Sequence, residues 1–294
     1  MHHNLLHTTN PIHEWEHAPG SFDELLISWN ARRPERGHFA LDVSVLQGVW
    51  SSWLPYAEWG DNFQRGFVEQ ADGIRVDQDT VEAPGSRAFR IRVRAENGAS
   101  MQEMRALHVC ASCKQRAEVF AVPDKSLHLP VPPISQMALD DPRRKRLCSP
   151  TSLTALLRYF APHNKFQPLA IADKVWDAGS DIYGNWVLNV AEGYAQLGGE
   201  YFCWAERLLN LKALFERLPV AISVRGPLAG SAEAYASGHL LVVKGFDAEK
   251  GEVLCMDPAF PTDAETDIRY PINDLDAAWQ RRGRIAYVFR PSFA

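Results

Sequence analysis

The sequence predicts two folds in series, an all-β segment followed by an α+β segment. Three observations lead there. From Phe22 to Ser112, apolar and polar side chains alternate with period two, and the runs are punctuated by Gly, Pro, Asn and Ser. Apolar residues at helical spacing dominate from Pro150 to Leu218, and strand-like runs return from Ala221 onward. Repeated strands without helices suggest a β-sandwich, here jelly-roll-like, whereas helices followed by an antiparallel sheet are an α+β layout. The 294 residues also exceed the roughly 100–200 expected of one domain.

The N-terminal elements are read from FDELLISWN, HFALDVSVL, GIRVDQDTV, AFRIRVRAE and MQEMRALHV. In AFRIRVRAE, Phe89, Ile91 and Val93 point one way and Arg90, Arg92 and Arg94 the other, as on a half-buried antiparallel strand. Trp15, Trp29, Trp50, Trp53 and Trp59 fall in this half. They suit either a sandwich core or a flat platform for glycan or peptide, so contact with such a ligand through this domain is an open expectation. Asp77 and Asp79 on one strand read as solvent-facing acids rather than cation ligands. His108, Cys110 and Cys113 form half of a zinc or redox motif, but the other cysteines stand singly, which favours ordinary packing.

Proline becomes frequent between Ala117 and Pro133, which marks a linker. The expected domains are 1–124 and 125–294. In the second, helices are predicted over Pro150–Phe160, Pro168–Asp177, Trp186–Leu197 and Leu211–Leu218, with a shorter one at Ile272–Gln280. Ser149 is the expected N-cap of the first. Strands are predicted at Ala221–Arg225, His239–Phe246, Glu252–Met256 and Arg284–Arg290.

Composition bounds the function. A charge of −5 from 31 basic and 36 acidic side chains argues against nucleic acid or anionic membrane as partners, and the Arg143–Arg146 run reads as a solvated loop. Five cysteines cannot all pair within the chain, so a reducing, cytoplasmic setting is expected, with no signal peptide visible. No cofactor and no metal are expected.

The chemistry centres on Cys148, a thiol at a predicted helix start, where unpaired N–H groups and the helix dipole favour the thiolate. His239 opens an apolar strand, and Asp257 closes the next one. A turn near Ala248–Gly251 makes those strands antiparallel, so the two residues become neighbours. A thiolate, an imidazole and an orienting carboxylate suit acyl transfer through a covalent intermediate. The backbone N–H of Cys148 and the carboxamide of Gln136 are the candidate oxyanion donors, each worth about 3 kcal/mol. The order Gln-x11-Cys-Ser-Pro-Thr-Ser-Leu, then Gly-Asn-Trp, then GHLLVVKGFD and a strand ending in Asp-Pro resembles the papain-like cysteine peptidases that process bacteriocins by cleaving double-glycine leader peptides. The resemblance covers Leu129 to Phe260. It implies a Cys148–His239–Asp257 triad with Gln136 before it and a peptide or protein substrate; the sequence departs from the family pattern in its N-terminal β domain and in carrying no ATPase or membrane part, as a stand-alone member would. Tyr183, Asn185 and Trp186 are candidate substrate contacts, and helix capping explains them equally well. Two other readings stay open: a thiol acyltransferase of the same fold, and an inactive binding protein.

Overall fold

Alternating side chains need a sheet with one face covered, and the computed structural model shows how the chain supplies it. Residues 1–113, 124–211 and 218–292 are described. They form two compact units, Met1–Arg116 with Lys174–Ala205, and Ala117–Asp173 with Glu206–Ala294.

The first unit begins with β1 (His2–Leu5), β2 (Ile12–His17), β3 (Phe22–Ala31), β4 (His38–Leu46), β5 (Leu54–Gly60), β6 (Gln64–Ala71), β7 (Ile74–Gln78), β8 (Thr80–Ser86), β9 (Ala88–Glu96) and β10 (Met104–Ser112). All ten strands join one sheet, in the order β1-β10-β3-β8-β7-β6-β5-β4-β9-β2. The two ends of that path meet, with the His2 and His17 rings 4.3 Å apart and His13 Nε2 hydrogen-bonded to Asn4 Oδ1 at 3.2 Å. The expected two-layer sandwich is therefore a single, barrel-like sheet. Strands β4 to β8 pair in sequence order through short turns, and rolling the sheet protects edges that an open one would expose.

Its core is aromatic: Trp29, Tyr56 and Trp59 are wholly buried, as are Phe89, Ile91 and Val93. Each such side chain contributes on the order of 1.5–3 kcal/mol. On the other face of β9, the Arg90 guanidinium lies over Trp50 and Trp53 at 4.7 and 4.6 Å, and Arg92 pairs with Asp42 at 3.0 Å. Thus Trp29 and Trp59 fill the core, while Trp50 and Trp53 lie against arginine guanidinium groups.

The chain continues through β11 (Leu127–His128), α1 (Cys148–Phe160), α2 (Pro168–Val175), α3 (Trp186–Leu197), β12 (Tyr201–Arg207), β13 (Val220–Gly226), β14 (Tyr235–Asp247), β15 (Glu252–Met256), β16 (Asp267–Pro271), α4 (Ile272–Gln280) and β17 (Ile285–Pro291). The predicted helix at Leu211–Leu218 falls largely outside the described residues.

Sequence reading assigns residues 174–205 to the second domain, yet they belong to the first unit. Buried polar contacts hold them there. Asp79 accepts the Trp186 N–H at 2.7 Å, Gly66 N–H donates to Asp177 at 3.0 Å, and Arg33 pairs with the fully buried Glu192 at 2.9 Å. Asp79 is thus an acceptor for the first turn of α3, and Asp77 pairs with Arg75.

In the second unit, strands run in the order β17-β13-β14-β15-β16, and β11 pairs with β14. Gly245 permits that last approach, since a Cβ there would sit 2.2 Å from the Leu127 carbonyl oxygen. Helix α1 packs on β14 and β13. Among the described residues no helix is long and apolar enough to cross a membrane.

Candidate active site

Helix α1 begins at Cys148 itself, one residue before the expected cap. Leu147 precedes it without a side-chain cap bond, so the first-turn N–H groups keep no side-chain acceptor at that position. The Ser149 hydroxyl instead shares a 2.8 Å hydrogen bond with the Tyr287 hydroxyl of β17, while Ser152 Oγ donates to the Leu240 carbonyl of β14 at 3.1 Å. The first bond ties the start of α1 to β17 and the second ties it to β14, the strand that carries His239. Pro150, in that first turn, has no N–H to leave unpaired.

Cys148 is partly exposed, whereas Cys203 and Cys255 are buried. The His239 imidazole and the Ser149 and Leu240 N–H groups act on its sulfur. Burial alone would raise the thiol pKa. The hydrogen bond and positive charge of His239, with the two N–H groups, outweigh it and bring the pKa below the ordinary thiol value.

His239 stands on β14 behind Gly238, whose φ of +105° suits glycine. The ring is 4% exposed, and its Nε2 meets Asp257 Oδ1 at 2.7 Å. Burial opposes the imidazolium, but the charge and hydrogen bond of Asp257, aided by Cys148, raise the His239 pKa to about 10. Asp257, fully buried, receives four hydrogen bonds. His239 and the Ala259 N–H serve Oδ1, at 2.7 and 3.0 Å, and the Tyr235 and Tyr270 hydroxyls donate to Oδ2 at 2.7 and 2.6 Å. Burial would push its carboxyl up, yet the imidazolium charge and these donors hold it below the usual carboxylate value.

Gln136 sits in a turn built on Ser135, whose Oγ accepts the Met137 and Ala138 N–H groups at 3.0 and 3.1 Å. The Gln136 N–H donates to the Pro258 carbonyl at 2.9 Å, one residue beyond Asp257, and Nε2 donates to the Arg144 carbonyl at 2.9 Å, in the loop before Cys148. Gln136 is 4% exposed, and its Oε1 is buried without a partner among the described residues. The backbone after Asp257 thus holds the main chain of Gln136, and the loop before Cys148 holds its side chain.

The structure therefore brings Cys148, His239 and Asp257 together, with Gln136 tied to the chain on both sides of them. Tyr183, Asn185 and Trp186 lie in the first unit, 6, 0 and 7% exposed. There Asn185 caps α3 through the Leu188 N–H at 3.1 Å and donates to Asp177 at 2.8 Å. His108 and Cys110 are buried on β10, Cys113 Sγ donates to the Ser21 carbonyl at 3.1 Å, and no group of metal-binding side chains occurs among the described residues.

Two residues escaped sequence reading. Tyr235 shares its strand face with His239, four positions on, and Tyr270 lies on β16 opposite Val253 of β15. The even spacing of Tyr235 and His239 was the available signal.

A family model described as the Peptidase_C39 like family matches residues 128–287, more than half of the chain. The chain belongs to this family, and the matched region fits the papain-like fold. No curated protein matches it.

Proposed function

We propose that the chain is a cysteine peptidase or amidase of the papain-like kind, working through Cys148, His239, Asp257 and Gln136. The observation that carries the reading is the His239 ring, hydrogen-bonded to the Asp257 carboxylate at 2.7 Å and interacting with the Cys148 sulfur. Family membership supports the reaction class.

In this reading the Cys148 thiolate attacks the carbonyl carbon of an amide, and a C–S bond forms as the carbonyl electrons move onto oxygen. That oxyanion accepts from the Cys148 N–H and from the second Nε2 proton of Gln136, the first being engaged by Arg144. Collapse breaks the C–N bond, and the His239 imidazolium gives its proton to the departing amine. Water then attacks the thioester as the neutral imidazole takes one of its protons. The C–S bond breaks, the acid leaves, and the thiolate–imidazolium pair is restored. Asp257 keeps the ring oriented and its charge balanced.

The test is turnover of a fluorogenic peptide library with mass-spectrometric trapping of the acyl-enzyme. Cleavage with a thioester adduct on Cys148, and loss of at least about 10³-fold in rate in Cys148→Ala, is expected. Aminolysis in preference to hydrolysis would assign the acyltransferase chemistry instead. Cleavage undiminished in Cys148→Ala would contradict the proposal.

A further inference from the structure

Asp257 faces four donors among the described residues, one of them the His239 imidazole, a surround built for a carboxylate. Both phenols converge on Oδ2, Tyr235 at 2.7 Å and Tyr270 at 2.6 Å, which leaves Oδ1 to His239 and the Ala259 N–H. The Tyr235 ring also stacks on the His239 ring, with centroids 4.0 Å apart and an interplanar angle of 17°. A charged imidazolium over an aromatic face is favoured electrostatically. One tyrosine therefore touches both members of the pair, from β14, and the second closes the carboxylate from β16. Tyr235 and Tyr270 are 3% and 0% exposed, so their hydroxyls need an acceptor, and a buried carboxylate gives them one.

We propose that Tyr235 and Tyr270 are positioning residues: they lock the Asp257 carboxylate and, through it, the orientation of the His239 ring toward Cys148. The proposal rests on the cysteine-peptidase reading of the same site. An asparagine at 257 could not do this work. Its amide nitrogen cannot accept, so either the phenols or the histidine would be left with a buried, unpaired donor.

The titratable groups facing the cluster are Cys148 from α1, Tyr235 and His239 from β14, Cys255 from β15 and Tyr270 from β16. Removing a phenol hydroxyl makes the potential at the sulfur more negative and frees the carboxylate to turn, taking the imidazolium with it. Both effects disfavour the thiolate.

The experiment follows iodoacetamide alkylation of Cys148 against pH in the intact chain, with melting temperature as a folding control. It needs no substrate. Tyr235→Phe and Tyr270→Phe should each move the acid limb of the profile to higher pH. The double variant should move it by about one unit, or about tenfold slower alkylation at a fixed pH on that limb. Tyr235→Leu, which also loses the stack, should move it further than Tyr235→Phe. Should the double variant fail to fold, the single variants decide. An unmoved limb in both Phe variants, with His239→Ala displacing it, would overturn the proposal and leave the triad intact. An unmoved limb in His239→Ala would overturn the triad reading itself.

Discussion

The molecule buries two histidines on strands, and they are held in opposite states. His108 of β10, fully buried in the first unit, hydrogen-bonds Asn30 Oδ1 at 3.0 Å and His3 Nδ1 at 2.6 Å. Burial and the neighbouring His3 lower its pKa to about 3, so the ring is neutral. His239, nearly as buried in the second unit, meets a carboxylate instead of an amide, and its pKa rises to about 10. Desolvation acts on both in the same direction. The partner decides the charge: an amide oxygen does not repay the loss of water around a cation, and a carboxylate does.

The sharpest way to break that contrast is to exchange the partners. Asp257→Asn gives His239 the kind of neighbour His108 has. Its pKa should fall below the ordinary histidine value, Cys148 should lose its cationic partner near neutral pH, and turnover should drop by up to about 10⁴-fold, measured as kcat/KM on any cleaved peptide. The reverse exchange, Asn30→Asp, places a carboxylate beside His108. It also removes the Nδ2 donor that Asn30 gives the Cys203 carbonyl at 2.7 Å and sets two acceptors face to face. A stability loss of about 1–3 kcal/mol is expected from urea unfolding, with the alkylation profile of Cys148 unchanged.

How much of this contrast a reader could see in the letters depends on whether its cause was local. Helices α3 and α4 and strands β4, β9 and β15 lie where periodicity put them, because each carries a self-contained apolar stripe. Strands β1, β2, β5, β6, β12 and β16 were not anticipated. MHHNLLH has no alternation to find, and the tryptophans around β5 looked like a cluster rather than a strand. Closure of the first sheet is set by pairings such as Glu16 opposite Arg90, remote in sequence, so sandwich and barrel could not be told apart. The same holds for residues 174–205, whose anchors Asp79, Gly66 and Arg33 lie over a hundred positions away. The proximity of Cys148, His239 and Asp257 was legible because a helix start and two adjacent antiparallel strands converge, although His239 lies inside β14 rather than at its start. Tyr270 was not, because β16 itself was missed.

A smaller effect concerns stability against pH. His239, with its folded pKa raised, contributes stability fully present below pH 6.5, its unfolded value, and lost as pH rises toward about 10. Cys148, with its folded pKa lowered from 9.0, contributes in the opposite sense, since the folded thiol sheds its proton before the unfolded one. Over the range where the folded thiol has shed its proton and the unfolded one has not, the two slopes oppose each other. Cys148→Ala should uncover the histidine alone. Its unfolding free energy should fall with pH above 6.5 by at most about 1.4 kcal/mol per unit, and more steeply than that of the parent chain, where the thiol opposes the slope. Equal slopes in the two proteins would mean that thiol and imidazole are not coupled.

The central claim is that His239 is charged beside a thiolate at neutral pH. The most direct measurement is brief iodoacetamide labelling of the folded protein slightly below neutral pH, followed by peptide mass spectrometry across all five cysteines. The account predicts that Cys148 is modified first and that His239→Ala removes its advantage over the partly exposed Cys113. Labelling of Cys113 ahead of Cys148, or a Cys148 rate indifferent to His239, would contradict it.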